Sequence, residues 1–244
     1  MIDLATFTVE SADVPALRDV VSHIARNGYG EAEVRKRLGL ADLVDLQWRM
    51  VPIHQEEQLA VRDTQALAID LFLLQESLQP GELGRLFDEA QQDLLVRTGL
   101  LCLDDQGIAR ARASLYPIGD RMVFSDHAWP MLSNPGCVNG PSDQVMFVGT
   151  DSHWLARATT RRPVRAALDL CTGSGVHAVL AAGHAKRVVA VDLNARAARC
   201  AQFNGRIAGA DHMEVLVGDL YEHLREERFD LITANPPFVP SPTE

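Results

Sequence analysis

Apolar side chains follow a helical spacing in about the first hundred residues of this 244-residue chain and a strand-like spacing after them. The helical spacing predicts four helices, at residues 14–27, 31–38, 54–78 and 82–97. Asp13 is a candidate N-cap of the first helix, and Pro80 with Gly81 is expected to end the third.

Between residues 100 and 125 the pattern predicts three short antiparallel strands, at 100–103, 108–116 and 121–125. Helices followed by a small antiparallel hairpin form the outline of a winged-helix unit. Nucleic-acid-binding modules have this outline, and packing or dimerisation modules share it. The helix that would enter a groove, 82–97, carries four acidic side chains against two arginines. Because phosphate contacts need positive charge, we favour the packing role.

The second part of the chain has the alternating strand and helix pattern of an α/β domain. Residues 129–143 hold three prolines, two glycines and two asparagines, a composition typical of a linker or an ordered loop. We therefore expect a mainly helical N-terminal domain over 1–128, a linker over 129–144 and an α/β domain over 145–244. Residues 145–150 are expected to open the last domain as a short strand or as an extended entry segment.

The most informative stretch is a strand, a tight loop and a helix start between residues 164 and 182. The strand ends at Asp169, small residues follow through Gly173 and Gly175, and an alanine-rich helical pattern begins. Glycines permit a sharp turn and a close approach of ligand to backbone. Ligands bind at the carboxyl ends of parallel strands, so we place a cofactor here. The loop also satisfies the dinucleotide fingerprint, which leaves an NAD-type oxidoreductase open.

Two further strands end in a carboxylate. Asp192, followed by Leu193, can accept hydrogen bonds from both ribose hydroxyls of an adenosine-containing cofactor. Asp219 can accept from an exocyclic adenine amine, and Leu220 could cover the face of the ring. A fourth strand leads into Asn235-Pro236-Pro237-Phe238, a rigid polar turn with an aromatic side chain that has no role in a typical hydride-transfer enzyme.

Together these motifs resemble class I S-adenosylmethionine-dependent methyltransferases of the methyltransferase small domain type. This group includes release-factor glutamine, adenine-N6 and ribosomal guanine-N2 methyltransferases. The resemblance covers about residues 145–244 and implies a Rossmann-like sheet. It departs from the family at Cys171, where many relatives carry glycine. The cofactor-binding residues that it implies are Asp169, Cys171, Thr172, Gly173, Gly175, Asp192, Leu193, Asp219, Leu220 and Asn235.

By the same resemblance, Asn235, Pro236 and Phe238 carry the methyl transfer. The Asn235 side-chain oxygen and the Pro236 carbonyl would accept the two N–H bonds of a planar amide or an exocyclic amine, and Phe238 would stack on it. The chemistry needs no metal, and the eight histidines, His177 among them, show no ligand spacing and are assigned surface or packing roles. A non-catalytic module that only binds S-adenosylmethionine is the remaining alternative.

Charge and composition bear on the partners. Residues 1–150 carry 12 basic and 22 acidic side chains and residues 151–244 carry 11 of each, so the net charge of −10 lies in the first part. The acidic part favours a protein substrate, whereas a module ahead of the methyltransferase domain resembles RNA base methyltransferases. We expect a macromolecular substrate, RNA or protein, and favour nucleic acid, and methylation of a small molecule is a third possibility.

Cysteine usage and hydropathy bear on location. The four scattered cysteines suit a reducing cytoplasm, and no apolar run has the length of a membrane helix. Few residues follow the Asn-Pro-Pro-Phe motif, so we expect the chain to be a fragment of a longer fold.

Overall fold

The computed structural model describes residues 11–127 and 144–237, and the chain divides between residues 142 and 143 into two units. The division falls within the expected linker at 129–144, of which only residue 144 is described. The domain limits therefore stay a prediction. Every helix in the described part of the chain is too short or too polar to cross a lipid bilayer.

The described part of the N-terminal unit begins with helices. They run over Val14–Arg26 (α1), Glu31–Arg37 (α2), Val51–Glu57 (α3), Thr64–Ala68 (α4), Pro80–Leu86 (α5) and Glu89–Arg97 (α6). The predictions for α1 and α2 are confirmed to within one residue. Asp13 stands at the N-cap of α1 but makes no capping bond, because its backbone is helical rather than extended. Its carboxylate pairs with Arg97 at 2.5 Å instead.

The single helix predicted over residues 54–78 is wrong. The chain leaves the helix after α3, resumes it at α4 and continues into a π-helical turn at Ile69–Leu73. The Asp63 carboxylate restarts the helix by accepting a hydrogen bond from the Ala66 backbone N–H at 2.9 Å. In the connection, Arg37 donates to the backbone carbonyl of Gln58 at 2.7 Å. These long-range and capping contacts outweigh the helical pattern.

The helix predicted over residues 82–97 is likewise two helices, α5 and α6. Asp88 and Gln91 separate them through a reciprocal cap, in which each side chain accepts a hydrogen bond from the other residue's backbone N–H, at 2.8 and 3.1 Å. Pro80 does not end a helix as expected. It is the first residue of α5, where a fixed φ and a missing N–H cost nothing.

The strands of this unit are Leu101–Leu103 (β1), Ala109–Ala111 (β2), Ser114–Ile118 (β3) and Arg121–Ser125 (β4). The strand expected over residues 108–116 is interrupted, because the chain changes its pairing partner between β2 and β3. β1 pairs antiparallel with β2, and β3 pairs antiparallel with β4, in two separate two-stranded sheets. The likeness to a winged helix therefore stays a proposal.

Aromatic packing marks the core of the N-terminal unit. Tyr29, Phe72 and Phe87 are at most 1% exposed and meet edge to face, with ring centroids 6.5 and 6.2 Å apart. The Tyr29 hydroxyl donates to the Leu115 carbonyl at 2.7 Å, and burial raises the pKa of this hydroxyl. The tyrosine therefore ties α1's C-terminal turn to β3 through a satisfied buried polar group.

The C-terminal unit is built around a parallel sheet. Its elements are Thr150–Ala158 (α7), Val164–Leu170 (β5), Val176–Ala181 (α8), Ala185–Asp192 (β6), Ala195–Ile207 (α9), Met213–Val217 (β7) and Leu231–Ala234 (β8). The sheet order is β7-β6-β5-β8 and all described pairings are parallel. This is the third-second-first-fourth order of a Rossmann-like sheet.

Of the two expectations for residues 145–150, a short strand or an extended entry segment, the strand is wrong. Residues 144–149 form no strand, and Thr150 already begins α7. Val145 and Val148 bury their side chains without pairing in the sheet. The buried apolar side chains explain the strand-like pattern, but none of these residues pairs with a strand in the described part of the chain.

Both faces of β5 and β6 are buried, as a parallel sheet requires. Small side chains such as Ala167 and Ala190 pack on one face against Ala178 and Ala181 of α8. Larger side chains, among them Leu168, cover the other face. The small residues bring α8 close to the sheet, so that the loop between β5 and α8 is held at the carboxyl edge.

Candidate active site

A cavity of about 420 Å³ opens at the carboxyl ends of the parallel strands, within the size range of small-molecule sites. The predicted site residues that line it are Cys171, Thr172, Gly173, Asp192, Leu193, Asp219, Leu220, Asn235 and Pro236. Asp169 and Gly175 are not among its lining residues. Phe238 lies outside the described residues. The tertiary structure thus brings residues from four strand ends to one cavity.

Asp169 is buried beneath the loop between β5 and α8 and is bonded to the residues around it. Its carboxylate is 1% exposed and accepts hydrogen bonds from the hydroxyls of Thr172 at 2.6 Å and Thr233 at 2.7 Å. The backbone N–H of Ala178 also donates to it, at 3.2 Å. Burial raises the pKa of the Asp169 carboxyl, and the three hydrogen bonds act against that rise. This geometry favours positioning of the loop, and the direct contact with cofactor expected of Asp169 stays a prediction.

Asp192 terminates β6 and holds the loop from the other side. One carboxylate oxygen accepts from the Gly173 N–H at 2.8 Å, and the other accepts from the Asn194 N–H at 2.9 Å. A carboxylate oxygen can accept two hydrogen bonds. Asp192 therefore keeps one acceptor position on each oxygen, which suits a vicinal diol.

Position 175 requires glycine for two reasons, its left-handed backbone and the lack of space for a side chain. Its φ is +81°, and a Cβ at this position would lie 2.8 Å from the Cβ and 2.9 Å from the Cα of Ala201. Cys171 also has a left-handed backbone, with φ +53°. It lies just beyond the last residue of β5, so the glycine of many relatives would fit this position without strain.

Two exposed leucine side chains line the cavity. Leu193 is 73% exposed and Leu220 is 47% exposed, and both line it. The backbone of Leu220 is left-handed, with φ +46°, in the turn after Gly218-Asp219. Exposed leucines beside carboxylates form a surface that a flat heterocycle with polar edges can cover.

Asn235 follows the last residue of β8 and lines the cavity. Its Nδ2 donates a hydrogen bond to the carboxylate of Asp151, near the start of α7. Sequence reasoning missed Asp151, because it expected a strand or an extended segment up to residue 150 and no helix start there. The helical spacing that begins at Thr150 is the signal that could have placed it.

His177 was assigned a surface or packing role, but it lines the cavity at 5% exposure. Its Nε2 is buried and has no hydrogen-bond partner in the described part of the chain. Burial lowers the pKa of the imidazole and favours the neutral form, against the pull of Asp169. His177 lies two residues after Gly175, in the first turn of α8. Its spacing in the sequence did not indicate that the ring faces the cavity.

A model of a known protein family matches part of this chain. Residues 148–243 match the family model for the methyltransferase small domain. The matched residues lie within the C-terminal unit and make up less than half of the chain. The glycine loop, the strand-end carboxylates and the Asn-Pro-Pro turn described above all lie within the matched residues of this domain.

Similar curated proteins are methyltransferases. The release factor glutamine methyltransferase of Bordetella pertussis is 39% identical over 128 residues, 51% of this chain and 44% of that protein. The ribosomal protein uL3 glutamine methyltransferase of Bradyrhizobium diazoefficiens is 46% identical over 31% of this chain and 25% of that protein. The tRNA1(Val) (adenine(37)-N6)-methyltransferase of Actinobacillus pleuropneumoniae is 36% identical over 38% of this chain and 42% of that protein. The aligned part of this chain thus spans less than half of the length of each of these relatives.

Two solved structures are also similar. The T. thermophilus 16S rRNA N2 G1207 methyltransferase, solved with AdoMet and guanosine, is 22% identical with a TM-score of 0.39, over 67% of this chain and 47% of that chain. The ribosomal protein L11 methylase of Lactobacillus delbrueckii subsp. bulgaricus is 30% identical with a TM-score of 0.30, over 34% of this chain and 42% of that chain.

Proposed function

We propose that this chain carries an S-adenosylmethionine-dependent N-methyltransferase that acts on a planar amide or exocyclic amine nitrogen of a macromolecule. One observation carries the proposal: Asp192 and Asn235 line the same cavity. The first residue is suited to the ribose of a methyl donor and the second to the nitrogen that accepts the methyl group.

The cofactor end of the cavity uses the residues around the loop. Asp192 would accept from the ribose hydroxyls, Asp219 from the adenine amine, and Leu193 with Leu220 would cover the adenine face. When bound, S-adenosylmethionine supplies a methyl group activated on a positive sulfur. Gly173 lines the cavity, and because a Cβ there would meet nothing within 4 Å, the space beside the loop is open for the donor.

The acceptor end is formed by the Asn-Pro-Pro turn. Asn235 Oδ1 and the Pro236 carbonyl would accept the two N–H bonds of the target, and Phe238, outside the described residues, would stack on it. An amide nitrogen is a poor nucleophile because its lone pair is delocalised. As the methyl group is transferred the nitrogen becomes more positive, so acceptors at its N–H groups favour the transition state. Alignment of nitrogen and methyl supplies the rest.

From the sequence alone we favour nucleic acid, but the acidic charge of residues 1–150 together with the named relatives leads us to propose a protein glutamine as the acceptor instead. The acidic side chains of residues 1–150 disfavour long-range attraction of phosphate backbones. Two of the relatives named above act, by their names, on glutamine of a release factor or a ribosomal protein. In this proposal the winged-helix-like N-terminal unit is a protein-contact module. A reducing cytoplasm is part of the proposal, since Cys102, Cys171 and Cys200 are free thiols.

Calorimetric titration with S-adenosylhomocysteine tests the cofactor. We expect micromolar binding that Asp192→Ala weakens by about tenfold to a hundredfold, the effect of lost hydrogen bonds to a charged acceptor. Asp192→Asn, which keeps one acceptor oxygen, is the matched control and should lose less. Binding of NAD in place of S-adenosylhomocysteine would overturn the proposal.

Transfer of tritiated methyl from S-adenosylmethionine to protein and RNA fractions of a cell extract tests the substrate. We expect label in protein that survives ribonuclease and that Asn235→Ala abolishes. Label in RNA alone would replace the protein acceptor with a nucleic-acid base. An absence of label in both fractions, with cofactor binding intact, would leave a binding module and refute the enzyme.

A further inference from the structure

We propose that Asp151 is a positioning residue for methyl transfer, which fixes the orientation of the Asn235 amide so that Oδ1 faces the target nitrogen. The inference rests on the proposed function and deepens it. Both residues line the cavity, and Asn235 Nδ2 donates to the Asp151 carboxylate. Asp151 comes from α7 and Asn235 from the end of β8, so two elements far apart in sequence meet at the acceptor end of the site.

The chemistry of the pair permits only one amide orientation. A carboxylate oxygen accepts hydrogen bonds and has no proton to donate, so the amide must present its NH₂ group to Asp151. The Asn235 oxygen then lies on the opposite side of the planar amide. No described residue donates to that oxygen. An amide in the reverse orientation would place its NH₂ group against the N–H bonds of the target, where donor would face donor.

The bond to Asp151 also strengthens the acceptor. Hydrogen bonds to an ionised group are about twice as strong as neutral ones, and linked hydrogen bonds polarise one another. Donation from Nδ2 to a negative charge shifts electron density of the amide toward Oδ1. The oxygen becomes a better acceptor for a nitrogen that gains positive charge, which is the change that occurs in the transition state.

A purely structural role makes a different prediction. Asp151 lies in the first turn of α7, where a negative charge stabilises the helix by interaction with its dipole. Loss of that interaction alone would lower the stability of α7 and leave the turnover number at saturating cofactor unchanged. The two roles are therefore separated by the turnover number and by the environment of the Asn235 amide.

The experiment compares the full chain with Asp151→Ala, Asp151→Asn and the control Glu226→Gln, which removes a negative charge from an exposed position outside the cavity. Methyl transfer to the labelled extract fraction is measured at saturating cofactor, with S-adenosylhomocysteine affinity determined by calorimetry. We expect a fall in turnover of about tenfold to a hundredfold in Asp151→Ala, because misplacement of a reacting group by about 1 Å can cost about a hundredfold in rate. Cofactor affinity should change less than twofold. Asp151→Asn should lose less, since its amide oxygen can still accept, and Glu226→Gln should match the wild type.

Nuclear magnetic resonance supplies a readout that needs no substrate. The side-chain ¹⁵N–¹H signals of Asn235 are assigned by their loss in Asn235→Asp, and they should move in Asp151→Ala and stay in Glu226→Gln. Unmoved signals, unchanged turnover, or equal losses of turnover and cofactor affinity in Asp151→Ala would each overturn the inference. If the wild type binds cofactor but transfers no methyl group, the proposed function fails, and the Asn235 signals still decide whether Asp151 orients the amide.

Discussion

Replacement of Gly175 by alanine tests whether close packing of the β5–α8 loop against Ala201 is the reason that this position needs glycine. An alanine at φ +81° costs about 1–2 kcal/mol in left-handed strain. Its Cβ would also lie 2.9 Å from the Cα of Ala201 in α9, a backbone atom that cannot rotate away. Overpacking of this kind costs about 1–3 kcal/mol, so Gly175→Ala should lower the free energy of unfolding by about 2–5 kcal/mol.

Gly173→Ala is the matched control. Gly173 also has a left-handed backbone, at φ +56°, but a Cβ there would meet nothing within 4 Å. It should lose only the strain of about 1–2 kcal/mol. The effect of alanine on the unfolded chain is the same in both variants, so the difference between them, about 1–3 kcal/mol, isolates the contact with Ala201.

Hydrogen exchange of the amides in β5 and β6 measures this difference within the C-terminal unit. The opening equilibrium constant of Gly175→Ala should exceed that of Gly173→Ala by about fivefold to 150-fold. Equal exchange in the two variants would refute the packing argument and leave backbone conformation as the reason for both glycines.

Two other substitutions probe local features. Cys171→Gly should raise the free energy of unfolding by about 0.5–1 kcal/mol, because the relief of backbone strain at φ +53° exceeds the cost of a more flexible unfolded chain. The urea midpoint measures this change. A lower midpoint than that of the wild type would show that contacts of the thiol outweigh the strain. His127 donates from Nε2 to the Ala111 carbonyl at 3.0 Å and accepts at Nδ1 from the Ser114 hydroxyl at 2.9 Å, and burial lowers its pKa. The unfolded chain then binds a proton more readily than the folded one, so stability is lost as pH falls from the ordinary value near 6.5 toward the lowered pKa. His127→Gln should therefore show a smaller drop in urea midpoint between pH 7.5 and pH 5 than the wild type, and an equal drop would contradict the assignment.

The local pattern of the sequence was sufficient for the α/β part of the chain. Strand, loop and helix around Gly173 follow from short-range preferences, and parallel strands place their ends at one edge whatever the details of packing. The carboxylates at Asp192 and Asp219 could therefore be assigned to one site from the sequence. The Asn-Pro-Pro turn at Asn235 could be assigned to the same edge of the sheet in the same way, and it lines the same cavity.

The N-terminal unit shows what a local pattern does not contain. A continuous apolar stripe predicted one helix over residues 54–78, yet Arg37 and the cap at Asp63 divide it through contacts that the stripe does not encode. The second division, at Asp88 and Gln91, had a capping signal in the sequence that the helical pattern obscured.

The sequence by itself determined which chemical groups stand at the strand ends, because motif, turn and strand are local properties of the chain. Only the tertiary structure decided where those groups lie and which residues they contact. It buried Asp169 beneath the loop, turned His177 toward the cavity and brought Asp151 to Asn235. Each of these outcomes depends on contacts between residues distant in sequence, which form only when the elements pack together.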